Sequence, residues 1–105
     1  MISVWAFDAI IDVLENIDSS INLARLRKIF DEKYVWLMLD VGNVTATING
    51  VDSSNLDFGD HEKCSISFVL SENDVPNIKI GGTMVVSVAG IPIANVVALN
   101  RPLKQ

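Results

Sequence analysis

The sequence is short of almost everything that would announce a function. In 105 residues it has one cysteine, one histidine, three prolines and 7% aromatic side chains. One cysteine cannot close an intramolecular disulfide, so a disulfide scaffold is excluded and nothing points to an oxidising compartment. One histidine means that any histidine-dependent chemistry must run through His61. Basic residues are outnumbered, 8 Lys and Arg against 13 Asp and Glu for a net charge of −5, which argues against nucleic acid as a partner. No apolar run approaches the ~20 residues of a membrane helix, so no membrane partner is expected either. Gly81-Gly82-Thr83 lacks the spaced glycines, the lysine and the following helix of a phosphate-binding loop, and reads as a turn or bulge.

What the chain does have is aliphatic residues. Half of it is hydrophobic and the mean hydropathy is +0.37, which excludes disorder, and the length suits one domain over residues 1–105. The apolar N-terminus has no basic start, and Asp8 and Asp12 interrupt it. It does not read as a secretory leader, so a cytoplasmic location is the expectation.

The patterning predicts an α+β domain, a two-helix hairpin followed by about five mostly antiparallel strands in a small sheet or barrel. Val4, Phe7, Ile11, Leu14 and Ile17 recur at spacings of three and four, which predicts an amphipathic helix over about 3–18. A second helix is expected over about 22–31, capped by Asn22, with Arg25, Arg27 and Lys28 on its solvent side. From Tyr34 the period changes to two, and the β region should run over 34–99. Residues 34–41 and 43–49 form a hairpin through Gly42-Asn43, and Cys64, Ile66, Phe68 and Leu70 alternate with serines as a half-buried strand. Two further strands are expected over 83–89 and 93–99, with Pro92 in the turn between them. The tail 100–105 should fray.

Chemistry-bearing residues concentrate in one place, Asp57, Asp60, His61 and Glu62. Carboxylates and a histidine are ligands for a metal or could act as general bases. Adjacent residues point apart, however, and the stretch lacks the repeating acid-and-glycine pattern of a calcium loop, so the plainer reading is a solvated turn. Cys64 falls on the inward side of its strand, where a thiol behaves as a small hydrophobe rather than a nucleophile. No catalytic residue, cofactor site or metal site is therefore assigned.

The more informative feature is surplus apolar surface. On 34–41, Val35, Leu37, Leu39 and Val41 occupy one face and Tyr34, Trp36 and Met38 the other. Two helices cover only one face of a sheet, so the surplus belongs either to a closed small barrel with the helices packed against its outside or to a contact with a protein partner. On the second reading Tyr34, Trp36 and Met38 are the expected interface, with Trp36 as its anchor. The function expected is non-catalytic. The chain reads as an interaction or assembly protein, intracellular or virus-encoded, whose partner is a protein, above all a second copy of itself. Two alternatives stand beside it. One is an acidic inhibitor of a host protein that presents Asp8, Asp12 and Glu15 as a helical stripe. The other is a metal-binding or enzymatic domain built on the Asp57–Glu62 loop.

Overall fold

The computed structural model of the protein describes residues 1–105. Its seven strands and one helix run in the order β1 (Ile2–Val13), α1 (Leu23–Glu32), β2 (Tyr34–Leu39), β3 (Gly42–Asn49), β4 (His61–Ser71), β5 (Thr83–Val88), β6 (Ile91–Ala98) and β7 (Leu103–Lys104). The strands pair antiparallel in the order β4-β3-β2-β5-β6-β1, and β1 closes the circle by pairing with β4 from Ile2↔Ser71 to Asp12↔His61. The result is a closed six-stranded barrel, with β7 added alongside β1. Closure removes the free edges through which open sheets aggregate.

This architecture corrects the expected α+β hairpin-and-sheet arrangement. Residues 3–18 are not a helix. The segment ISVWAFDAIIDV is rich in β-branched and aromatic residues, has no N-cap, and buries Phe7, Ala9, Ile11 and Val13 at alternate positions. The three-and-four spacing arises because the outward positions of β1, among them Ile2, Val4 and Ile10, are apolar too. Pairing with β4 over eleven residue pairs outweighs any local helical preference.

The second expected helix exists. Asn22 caps it, its side chain accepting the Arg25 N–H at 2.9 Å, and the chain leaves it through Lys33 at φ 71°. Leu26, Ile29 and Phe30 are buried in the common core, so α1 closes the barrel end where β1 finishes and β2 begins. Arg27 Nε secures it there by donating to the Leu56 carbonyl at 2.8 Å.

The barrel interior is filled by alternate side chains, Val35 and Leu37 from β2, Ala46 and Ile48 from β3, Cys64, Ile66, Phe68 and Leu70 from β4. Phe7 and Phe68 meet edge to face, with ring centroids 5.9 Å apart. The β2–β3 turn is Asp40-Val41 rather than Gly42-Asn43, and Gly42 supplies a φ of 115° immediately after it. Pro92 is not in the β5–β6 turn, which is Ala89-Gly90. It sits inside β6 opposite Ser87, at the register shift between Val86 and Ser87, where a bulge tolerates the missing N–H.

The tail does not fray. β6 pairs with β1 up to Ala98↔Ala9, and Leu103↔Ala6 then resumes pairing along the same strand. Arg101 and Pro102 are bulged out between these stretches. Asn100 fills the gap, accepting the Asp8 N–H through Oδ1 and donating through Nδ2 to the Asp8 carboxylate, both at 2.9 Å. Asn100→Ala should therefore cost about 1 kcal/mol, the usual net worth of a hydrogen bond. Amide exchange should speed up at Asp8 and over 103–105, and unchanged protection there would refute this account of the tail.

Candidate interaction face

The Asp57–Glu62 cluster lies in the loop joining β3 to β4 and at the first residues of β4, and its groups face different partners. Asp57 accepts the Phe58 N–H at 2.7 Å, and Asp60 accepts the Asp57 N–H at 2.8 Å. Glu62 accepts the Asp52 N–H at 3.3 Å, and His61 Nδ1 lies 3.2 Å from Asp12 across the β1–β4 ladder. These carboxylates organise turns, which is the common reason for Asp in such loops. No three His, Cys, Asp or Glu side chains are gathered in a way that could hold a metal ion. Upstream, the Asp52 carboxyl is held below its ordinary pKa chiefly by the Asn55 amide, with the Ser54 hydroxyl second.

Asp8, Asp12 and Glu15 do not form a helical stripe. Asp8 and Asp12 project outward from β1 and are engaged by Asn100 and His61, while Glu15 lies beyond the strand against Gly59. The basic face of α1 is also dispersed. Arg27 is used on Leu56, and Lys28 makes only an exposed pair with Glu32 at 3.9 Å, an arrangement of little energetic weight.

Cys64 is 5% exposed on the barrel interior. Burial, reinforced by the negative charges of Asp8 and Glu62, pushes its thiol pKa up to about 11 from 9.0. The folded state therefore retains the proton where the unfolded chain has lost it. Stability from this group is fully present below pH 9 and falls as the pH rises toward 11, by about 2 kcal/mol in all. Denaturation midpoints between pH 8 and 11 should show this loss, and Cys64→Ser should abolish that part of it. At pH 8 the native thiol should resist a disulfide reagent that labels the unfolded chain.

Tyr34, Trp36 and Met38 all lie outside the barrel, 71%, 45% and 50% exposed, while their neighbours Val35 and Leu37 are inside. Strand register then shows what surrounds them. β1, β4, β3 and β2 contribute one complete cross-strand row to the outer wall, Ala6, Ser67, Thr47 and Tyr34. Beyond it the β3–β4 ladder ends at Ala46↔Phe68, leaving the outward pairs Val4–Val69 and Ile2–Ser71 on one side and Trp36–Thr45 and Met38–Asn43 on the other. None of these positions carries a charge, in a chain that is 20% charged. The first charge in this wall comes one row further up, at Asp8. Where the β3–β4 ladder ends, a shallow trough of about 260 Å³ opens, lined by Val4, Tyr34, Thr45, Thr47, Ser67, Phe68 and Val69.

Charge is partitioned along the barrel instead. The end bearing the β2–β3 turn and the β4–β5 loop has three acids, Asp40, Glu72 and Asp74, against Lys79 and Lys104, while Arg101 follows Asn100 at the level of Asp8. Most of the surplus of negative charge is therefore at the opposite end, around α1 and the β3–β4 loop.

Sequence reasoning placed Tyr34, Trp36 and Met38 on one strand face but missed Ile2, Val4 and Val69. The available signal was Val69, an apolar residue in an outward series otherwise made of serines. Val4 was obscured by its apparent place in a helical stripe. No protein-family model, curated protein or solved structure matches this chain. No helix is long and apolar enough to cross a membrane.

Proposed function

We infer that the protein is a non-catalytic association module whose contact surface is the uncharged outer wall of β1, β4, β3 and β2. One observation carries this reading. Trp36 and Met38 remain about half exposed on the outside of the barrel, and the outward positions around them, from Ile2 to Ala6 on β1 and Ser67 to Ser71 on β4, carry no charge. Leaving large apolar side chains in water forgoes roughly 25 cal/mol for each Å² of apolar surface left unburied, and contiguous apolar patches on small proteins mark contact sites. Tryptophan and tyrosine suit such a site because they bury large area with few rotatable bonds. The dispersed loop carboxylates and the buried, hard-to-ionise Cys64 provide no competing assembly of reactive groups.

A photo-crosslinking residue at position 38, compared with one at position 54 in the exposed, charged loop, tests the reading in cells that express the chain. A discrete protein adduct from position 38 and none from position 54 is the expected result. Equal labelling from both positions, or no adduct from position 38, would contradict it.

A further inference from the structure

The chain leaves β3 through Asn49-Gly50, the one place in the sequence where an asparagine precedes a glycine. Asparagine is chemically labile wherever the next backbone nitrogen can reach its side chain. Three observations allow that reach here. The Asn49 side chain is exposed and takes no part in hydrogen bonds of the kind that hold Asn22, Asn55, Asn77 and Asn100. The Gly50 N–H is unengaged as well. Ile48, two residues earlier, donates to the Lys33 carbonyl at 3.0 Å on the β2 side of the strand, and Gly50 points the same way, where the chain has turned off into α1. Gly50 also has a φ of 92° and no side chain, so nothing shields its nitrogen.

We propose that Asn49-Gly50 is a self-modification site, at which the Gly50 nitrogen attacks the Asn49 side-chain carbonyl and converts the residue to aspartate and isoaspartate. The only co-reactant is water. The new C–N bond closes a five-membered succinimide while the side-chain nitrogen departs as ammonia, taking the proton that the Gly50 nitrogen gives up. Water then opens the ring. Cleavage at the former side-chain carbonyl gives aspartate. Cleavage at the main-chain carbonyl gives isoaspartate, whose backbone runs through the side-chain carbons.

Asn16, Asn43 and Asn73 are exposed too, but Ile17, Val44 and Asp74 follow them. Those side chains crowd the attacking nitrogen, above all the stiff, branched Ile17 and Val44. Ring closure at Asn49 requires its peptide to swing out of the β3–β4 ladder, which ends at Asn49↔Ser65. Only that last rung has to open, and ladder ends open at far lower cost than the whole domain. The two products then differ in consequence. Aspartate adds one negative charge to a barrel end that already carries Asp52, Asp57, Asp60 and Glu62. Isoaspartate inserts an extra backbone carbon just before Val51, which packs against the core, and upstream of Leu56, which lies within it and holds Arg27 of α1 through its carbonyl.

Prolonged incubation of the full chain at mildly alkaline pH and body temperature, followed by peptide mass spectrometry that resolves isoaspartate, tests the proposal. Asn49 should convert at least tenfold faster than Asn16, Asn43 or Asn73, with isoaspartate as the larger product. The rate should rise with pH, because the attacking nitrogen must lose its proton. Asn49→Gln, whose longer side chain closes a six-membered ring only slowly, should remove the fast phase. The isolated isoaspartate form should melt below Asn49→Asp, and equal midpoints would contradict the consequence drawn for Val51 and Leu56. Conversion at Asn49 no faster than at the other three, conversion confined to the urea-unfolded chain, or aspartate formed without isoaspartate overturns the proposal.

Discussion

Phe68→Ala should destabilise the protein by about 3–5 kcal/mol, the usual cost of truncating a buried phenylalanine. Phe68 is 2% exposed on β4 and packs edge to face on Phe7 of β1, across the ladder that closes the barrel. Its removal leaves a cavity against the longest strand pairing in the molecule and also strands the Phe7 ring. A domain of this size has only about 5–15 kcal/mol in total, so the melting midpoint should fall by roughly 15–30 °C. A fall of only a few degrees would show that the β1–β4 contact does not form the centre of the core.

Leu26→Ala should cost about 2–5 kcal/mol, although alanine is the better helix former. Leu26 is fully buried on a helix of only ten residues, too short to be stable by itself in water. Its helix exists because Leu26, Ile29 and Phe30 close the barrel end, and emptying the central position of that plug should loosen the helix as well as the barrel. Circular dichroism and urea denaturation give the measurement. An unchanged midpoint would mean that the helix is an accessory to a barrel stable without it. Arg25→Ala, on the exposed side of the same helix, should stay within about 0.5 kcal/mol of the parent.

These two residues also show how far the fold can be read from the chain. Phe68 was legible, because the outward neighbours of Cys64, Ile66 and Phe68 are serines and the period of two is plain. The helix around Leu26 was legible from its cap at Asn22 and from its solvent-facing cations. β1 was not, because both of its faces are apolar. A strand with Ile2, Val4 and Ile10 outside and Phe7, Ile11 and Val13 inside has no hydrophobic alternation, and a spacing of three and four can be picked out of it. Which periodicity applies is decided by β4, fifty residues away, and no local pattern contains that partner.

The tail was hidden by similar circumstances. Pro102 and the polar residues near it are ordinary signs of a chain end, whereas Asn100 shows its bridging role only once Asp8 is beside it. At the candidate site, the two-sided character of β2 was readable from YVWLML alone, and so was the position of Trp36 opposite Leu37. The rest of the wall was not, since it is composed by register. Val4 and Val69 share a trough with Thr45, the cross-strand partner of Trp36, only because β1 pairs with β4 and β4 with β3. The Asp57–Glu62 cluster attracted notice by composition, and its geometry shows the turn chemistry that explains such clusters without a ligand.

The central claim is that β2 has one face inside the barrel and the other free for a partner, with Trp36 on the free face. The melting midpoint of Trp36→Ala, recorded at a concentration low enough to keep the chain monomeric, tests it most directly. The structure predicts a midpoint within a few degrees of the unsubstituted protein, because the truncated side chain leaves no cavity behind. A fall of roughly 15 °C or more, the mark of a core tryptophan, would contradict it.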